Sequence, residues 1–261
     1  MHTIDLDAAH ESAYLSCLEE WSPDMAEAAD HKARWYARYR ERGLRVKLGI
    51  DDDGSVAGMI QYLPIEQSTV MGKGLYHVMC VWVHGYEQGV GKRQGHGLGT
   101  LLLRDAEQDA QALGATGMSG WGLIIPVFMR ARWYRQRGYR IADRNGLMAL
   151  VWKPFTPQAE RPRWIHKVRE PERVPGQVTV TAFVNGWCPA QAITYERAKR
   201  AATEIGAPVV FQGIDTADRG TFLSWGISDG LYIDGRGGGL GPPLTYEQIR
   251  ERIERQVRKS A

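Results

Sequence analysis

Three glycines precede three leucines in the stretch "QGHGLGTLLL", residues 94–103. Glycine within a helix costs about 1 kcal/mol relative to alanine, so its use where a helix begins needs a reason. A helix N-terminus presents unpaired N–H groups and the positive end of the dipole, and glycine lets a phosphate approach them closely. The spacing therefore predicts a pyrophosphate site, with the Thr100 hydroxyl as a further donor. A strand–helix turn without a ligand is the alternative.

Two other kinds of glycine-rich phosphate loop fit this stretch less well. A nucleoside-triphosphate loop ends in Gly-Lys-Ser/Thr, and a dinucleotide fingerprint needs Gly-x-Gly-x-x-Gly with an acidic residue closing the next strand. Here the glycines are spaced Gly-x-Gly-x-Gly, and the next predicted strand, "MSGWGLII", ends without Asp or Glu. Both of these interpretations are disfavoured.

The elements that must position this loop are those of an α/β domain. A nearly continuous apolar run, residues 75–83, predicts a buried central strand before the loop. The periodicity after the loop predicts an amphipathic helix that ends at Gly114, as glycine commonly does at a helix C-terminus. Further helices are predicted over residues 11–21, 28–43 and 128–139, and "DDDG" predicts a hairpin turn.

Five prolines among charged residues mark the segment 154–176, which predicts a linker rather than a core element. The predicted organisation is a first domain over residues 1–153 and a second over 177–261. The second domain alternates strands with a helix that starts near Pro189, and it closes with an amphipathic helix capped by Thr245. This order predicts an α/β architecture for the second domain as well.

Two motifs in the first domain resemble those of GNAT-type N-acetyltransferases. The run 94–99 matches the Gln/Arg-x-x-Gly-x-Gly/Ala signature, and "WYRQRGYR" is similar to the Tyr-x-x-x-Gly-Phe/Tyr element. The resemblance implies a mixed, mainly antiparallel sheet with flanking helices, and acetyl-CoA as co-substrate. It places the pantetheine arm beside the strand and the pyrophosphate on the loop. The implied binding residues are Val81, Trp82, Val83, Gln94, Gly95, His96, Gly97, Leu98, Gly99 and Thr100.

Acyl transfer to an amine needs a neutral amine, a donor for the oxyanion and a proton for the departing thiolate. The resemblance implies Tyr134 as the proton donor, and a phenol with an ordinary pKa of about 10 is a suitable acid for a thiolate. His84 and Glu87, in the long loop after the strand, are the predicted candidates for the base, and His77 is a further one. Packing roles for Tyr134 and for these histidines are the alternatives.

The stretch "VNGWCPAQ" follows a strand and opens a helix, which is the position of a thioredoxin active-site turn. Gln191 replaces the second cysteine, so ordinary dithiol exchange is not expected. Cys188 still lies where a helix N-terminus lowers a thiol pKa. With "GPPLTYEQIRERI", this segment resembles the YoaP-type C-terminal domain of some GNAT proteins, which implies a thioredoxin-like fold.

Composition narrows the function classes. The net charge of +3 does not indicate nucleic acid binding, and no apolar run approaches the length of a membrane span. Three distant cysteines form neither a disulfide framework nor a zinc motif, and the N-terminal sequence lacks an apolar signal region. These observations predict a cytoplasmic protein without a metal, and the GNAT resemblance implies an acetyltransferase for the primary amine of a small molecule; a homodimer is left open. The alternatives are a non-catalytic acyl-CoA sensor and thiol chemistry at Cys188.

Overall fold

A computed structural model describes residues 1–126, 129–238 and 242–260. Its elements, in chain order, are β1 (His2–Asp5), α1 (Glu11–Leu15), α2 (Pro23–Ala26), α3 (His31–Arg40), β2 (Arg45–Ile50), β3 (Val56–Pro64), β4 (Val70–Met71), β5 (Leu75–Val83), α4 (Leu98–Ala112), β6 (Gly117–Leu123), α5 (Ala131–Arg135), β7 (Arg140–Asn145), β8 (Met148–Pro154), β9 (Arg163–Trp164), β10 (Val178–Val184), α6 (Pro189–Ile205), β11 (Val209–Asp215), α7 (Arg219–Trp225), β12 (Gly230–Ile233), β13 (Arg236–Gly238) and α8 (Tyr246–Ser260).

The chain folds into two compact units. Unit 1 comprises Met1–Trp21 and Arg38–Ile165, and unit 2 comprises Ser22–Ala37 and His166–Ala261. The second division, between residues 165 and 166, falls inside the predicted linker. The assignment of residues 22–37 to unit 2 has no counterpart in the boundaries predicted from the sequence.

Unit 1 is built on a seven-stranded sheet in the order β1-β2-β3-β5-β6-β8-β7. All neighbouring strands are antiparallel except β5 and β6, which are parallel, so the prediction of a mixed, mainly antiparallel sheet is confirmed. Helix α4 covers this sheet with an apolar stripe that is fully buried, as its amphipathic pattern predicts. The stripe consists of Leu98, Leu102, Leu103, Ala106 and Ala110.

The parallel strands β5 and β6 are paired only at their N-terminal ends and diverge beyond that point. Their register covers only Leu75–His77 against Gly117–Ser119, although β5 continues to Val83. On its other side β5 stays paired with β3 up to Val83. The Trp121 indole donates a hydrogen bond to the Met79 carbonyl at 2.9 Å, which bridges the start of the opening. The end of β5 therefore has strand pairing on one side only within the described residues.

Two helices of unit 1 are shorter than the sequence predicts. Helix α1 ends at Leu15, and Cys17 and Leu18 follow with φ of 54° and 65°. Consecutive left-handed residues are incompatible with a continuing right-handed helix. Helix α5 comprises Ala131–Arg135, and Phe128, where the predicted helix starts, lies outside the described residues.

Unit 2 contains a four-stranded sheet in the order β11-β10-β12-β13. The pair β10–β11 is parallel and is connected by α6, whereas β12 pairs antiparallel with both β10 and β13. Its core joins buried residues of β10 with those of α6 and α8, including Val180, Ala198, Ala201, Ile249 and Ile253. A second, smaller apolar cluster in unit 2 contains the buried residues Phe183, Ile214 and Tyr232.

A buried arginine ties residues 22–37 into unit 2. Arg197 of α6 is 7% exposed, and its guanidinium contacts the carboxylates of Asp24 at 2.7 Å and Glu27 at 2.6 Å. These ion pairs hold the pKa of Glu27 below its usual value, chiefly through the hydrogen bond from Arg197. Because Arg197 and Glu27 are 170 positions apart, no local sequence pattern indicates their ion pair. The assignment of residues 22–37 to unit 2 could therefore not be predicted from the sequence.

No helix within the described ranges combines the length and apolarity that crossing a membrane requires.

Candidate functional site

The N-terminus of α4 carries unsatisfied backbone donors. Gly97 precedes the helix with a left-handed φ of 93°, and no side chain caps it. Among the described residues, the N–H groups of residues 97–99 have no hydrogen-bond partner, whereas Thr100 and Leu101 donate back to the Gly97 carbonyl. A Cβ built on Gly97 meets nothing within 4 Å. These donors are thus left for an acceptor from outside the chain.

Polar contacts fix the loop that leads to this helix. The Gln94 amide donates to the Val83 carbonyl at 3.0 Å and so ties the loop to the end of β5. Arg93 forms ion pairs with Asp51 and Asp53 in the β2–β3 turn, at 2.8 and 2.6 Å. The loop therefore has a defined path although most of it is exposed.

The predicted binding residues differ in what they expose. Gly95 and His96 are exposed, whereas the side chain of Leu98 is 2% exposed and packs into the core of unit 1. Leu98 can therefore offer a ligand only its backbone N–H. The predicted strand residues Val81, Trp82 and Val83 are partly buried and form the end of β5.

Arg137 brings a positive charge to the first turn of α4. Its Nε and Nη2 donate to the Thr100 hydroxyl at 3.0 and 2.6 Å, and its guanidinium lies 4.1 Å from the centroid of the Trp133 ring. Partial burial lowers the pKa of Arg137 from its usual value. Sequence reasoning missed this residue because a contact across 37 positions leaves no local signal.

Tyr134 lies beside the opening between β5 and β6. It is 1% exposed, and its hydroxyl has no hydrogen-bond partner in the described part of the chain. A Cβ at Gly120 of β6 would come within 3.2 Å of this hydroxyl, so the glycine leaves room for the phenol. Burial raises the pKa of Tyr134, and the nearby Cys80 of β5 adds to the rise. The phenol therefore keeps its proton at neutral pH.

His84 is fully buried and both of its ring nitrogens are engaged. Nδ1 lies 2.8 Å from the Gly91 carbonyl, and Nε2 accepts a hydrogen bond from the Trp21 indole at 3.2 Å. A carbonyl can only accept, so Nδ1 carries the proton and the ring is the neutral tautomer. In this arrangement His84 holds the loop after β5 in place, and its role as a base stays a prediction.

The other two candidates for a base lie in different settings. The Glu87 side chain is 80% exposed and forms an ion pair with Lys92 at 3.3 Å. His77 is buried, its Nδ1 lies 2.9 Å from the Ser119 hydroxyl, and burial lowers its pKa to about 3. His77 therefore stays neutral at physiological pH, and the structure does not bring these two side chains together.

In unit 2, Cys188 immediately precedes α6 in an extended conformation, and Pro189 is the first helical residue. The Cys188 thiol is not in a disulfide, and the residue is partly exposed. The turn before it is held from within, because the Asn185 backbone N–H donates to the buried Asp229 carboxylate at 2.9 Å. Burial raises the pKa of Asp229.

Residues 6–139 match the model of the acetyltransferase (GNAT) family. This match spans half of the chain, and the chain therefore belongs to the GNAT acetyltransferase family. The comparison with curated proteins finds no match.

Solved structures similar to this chain include three acetyltransferases. A GNAT acetyltransferase from Brucella melitensis, in complex with acetyl-CoA, is 17% identical, with 61% of this chain and 91% of that chain covered and a TM-score of 0.41. YhbS from Escherichia coli, in complex with CoA, is 16% identical over 62% and 88%, with a TM-score of 0.44. The PaiA N-acetyltransferase from Thermoplasma acidophilum, in complex with coenzyme A, is 14% identical over 59% and 100%, with a TM-score of 0.42.

Proposed function

We propose that unit 1 transfers the acetyl group of acetyl-CoA to the primary amine of a small molecule. The observation that carries this proposal is the buried Tyr134 hydroxyl, which has no partner in the described residues and lies where β5 and β6 separate. A buried hydroxyl without a partner is costly unless a ligand completes it. Membership of the GNAT family indicates acetyl transfer as the reaction class. In this proposal the Tyr134 hydroxyl is the acid that the reaction needs.

The chain has the donors that acetyl-CoA requires. The free N–H groups of residues 97–99 suit its pyrophosphate, with Gln94, Gly95, His96 and Thr100 around them. Arg137, held against Thr100, adds a guanidinium suited to phosphate oxygens. The end of β5, Val81 to Val83, lacks a strand partner on the β6 side and could pair with the amide groups of the pantetheine arm.

Acetyl-CoA supplies a thioester, whose acetyl carbon the amine attacks and whose sulfur leaves. Tyr134 keeps its proton until this step because burial raises its pKa. Its Oη donates that proton to the sulfur as the C–S bond breaks, and the proton that the attacking amine nitrogen loses restores the phenol through solvent. Backbone N–H groups at the end of β5 are the donors for the charge that develops on the carbonyl oxygen. His84 and Glu87 are not needed in this proposal, since one is fully hydrogen-bonded and the other is paired with Lys92.

We further propose that unit 2 is a thioredoxin-like domain of the YoaP type. Support comes from its order of elements: β10, α6 and β11 form a parallel β-α-β unit, and α7, two antiparallel strands and α8 follow. Cys188 at the start of α6 agrees with this interpretation.

The enzymatic proposal is tested by steady-state thiol release from acetyl-CoA in the presence of a panel of small amines and amino acids. Turnover that depends on one class of amine is the expected result. Saturable binding of CoA without thiol release for any amine would instead indicate an acyl-CoA sensor and contradict the proposal.

Tyr134→Phe tests the proposed acid. We expect turnover to fall about 10²–10⁴-fold, with CoA affinity unchanged, because the ring is kept and only the proton is removed. Tyr139→Phe is the matched control: it removes a neighbouring buried hydroxyl whose ring lies 5.2 Å from that of Tyr134, and we expect turnover near the wild-type value. Equal effects of the two substitutions would reduce Tyr134 to a packing residue.

A further inference from the structure

Unit 2 contains a cavity of about 340 Å³ that the proposed acetyl transfer does not use. Its wall is apolar where β10, β12 and the segment before α8 meet, and it includes Ala182, Leu231, Ile233 and Leu244. The volume is at the lower end of the range typical of small-molecule sites. The space can therefore accommodate the apolar body of one small ligand.

The charged residues that line this cavity are all basic. Arg236 of β13 and Arg252 and Arg255 of α8 contribute to its lining, and none of the described lining residues is acidic. Arg255 is paired with Glu251 at 2.6 Å. Within the described ranges the side chains of Arg236 and Arg252 have no ion pair or hydrogen bond, so two guanidinium groups at this cavity lack an anion.

The other arginines of α8 do have carboxylate partners, so an unpaired guanidinium is not typical of this helix. Arg250, Arg255 and Arg258 each have a carboxylate within 4.0 Å, on Glu251, Glu254 or Glu204. Arg252 is the arginine of α8 without such a partner among the described residues, and it is also one that lines the cavity. Its charge is thus available to a ligand rather than balanced within the helix.

We infer that this cavity binds a small organic anion, an apolar molecule with one carboxylate or phosphate group. The apolar wall would bury the body of the ligand, and Arg236 and Arg252 would pair with its anionic group. A guanidinium presents a planar fork of donors that suits the oxygens of either group. The inference does not depend on acetyl transfer by unit 1.

The test uses the full chain saturated with CoA and follows binding by isothermal titration calorimetry. The probes are 4-phenylbutyrate, the phosphate monoester of 4-phenylbutanol, and 4-phenylbutyramide, which share one apolar body. We expect one or both anions to bind with CoA present, and the neutral amide to bind at least about 10-fold more weakly. The stronger of the two anions identifies the preferred group.

Two variants locate the probe. Arg236→Gln/Arg252→Gln should weaken binding of the anion about 10- to 100-fold, while Arg258→Gln, an ion-paired position on the same helix, should leave it unchanged. Thr194→Leu fills the cavity from the surface of α6 and loses only a long hydrogen bond of 3.4 Å to the Ala190 carbonyl. It should weaken all three probes without changing the charge.

Several results would overturn the inference. They are binding of neither anion up to about 1 mM, equal affinity for the amide and the anions, wild-type affinity in the double arginine variant, or displacement of the probe by CoA. The last would place the probe in the proposed CoA site of unit 1. Acetyl transfer is measured separately by thiol release, so failure of one proposal is distinguishable from failure of the other.

Discussion

Helices α4 and α6 both begin after a strand of the sheet that they cover, but their first turns are completed in different ways. Before α4, glycines leave the N–H groups of residues 97–99 without a partner in the described chain, and the space at Gly97 is open. Before α6, Pro189 removes one donor from the first turn. In both helices the carbonyl before the first helical residue accepts twice: that of Cys188 from Gln191 and Ala192, at 3.2 and 3.3 Å, and that of Gly97 from Thr100 and Leu101.

The turns before the two helices differ as well. The loop before α4 is anchored at its edges, by Gln94 to Val83 and by Arg93 to Asp51. The turn before α6 is anchored at its first residue, since the buried Asp229 carboxylate accepts from the Asn185 N–H. The same carboxylate also accepts from the hydroxyl of the neighbouring Ser228. The N–H groups at the start of α4 are thus left to an outside acceptor, whereas the Asn185 N–H ahead of α6 is paired with an internal carboxylate.

A helix N-terminus alone therefore does not define an anion site. The dipole and the unpaired donors are common to all helices. What distinguishes α4 is the absence of side chains at Gly97 and Gly99 and the nearby guanidinium of Arg137. We therefore expect CoA affinity to respond to changes at the start of α4 and not to changes at the start of α6.

The largest effect is expected for Gly97→Val. Its side chain would occupy the open space through which, in the proposed site, phosphate reaches the N–H groups, and we expect CoA affinity to fall about 100-fold by calorimetry. Gly114→Val is the matched control, because Gly114 follows the same helix, has a φ of 82° and is also surrounded by open space. Both variants carry similar backbone strain. An equal loss of affinity in both would mean that strain, not the site, is responsible.

A smaller effect is expected for Arg137→Gln. The substitution removes a guanidinium next to Thr100 and should weaken CoA binding about 10-fold, because charge-assisted hydrogen bonds to phosphate are among the stronger ones. Arg140→Gln, at a guanidinium 5.7 Å from the centroid of the Trp152 ring, controls for the loss of one positive charge. Wild-type affinity of Arg137→Gln would show that this arginine only supports Thr100.

The smallest effect is expected for Cys188→Ser. We expect CoA affinity to stay within about twofold of wild type, since substitutions at independent sites act separately. The wild-type full chain should also fail to reduce insulin, because Gln191 replaces the thiol that would resolve a mixed disulfide. Rapid reduction of insulin, or loss of CoA binding in Cys188→Ser, would remove the contrast between the two helices.

Much of the fold was predictable because its signals are local. The apolar run 75–83 is strand β5 as predicted, and the helix after the glycines and the helix after Pro189 are both present. The left-handed residues Cys17 and Leu18, which follow the early end of α1, were not predictable. Non-glycine residues adopt that conformation only where their surroundings impose it.

The candidate site, too, contains some residues that local sequence signals indicate and others that they do not. The loop 94–100 and Tyr134 could be proposed from spacing and family motifs. The role of His84 as a buried partner of Trp21 and Gly91 could not be, because a histidine carries no sequence signal for which of its nitrogens is engaged. His84 and Trp21 are 63 positions apart in the sequence, and only folding brings them into hydrogen-bond contact.

Three features follow from local sequence preferences alone: the left-handed turn that glycine permits, the apolar periodicity that forms β5 and α4, and the proline that starts α6. These depend on the backbone and side-chain preferences of adjacent residues. Three others depend on tertiary contacts: β5 and β6 separate after three paired residues, Gly120 makes room for the Tyr134 phenol, and Arg197 holds residues 22–37 in unit 2. Such contacts join distant positions and are fixed by strand register, packing and the burial of charge.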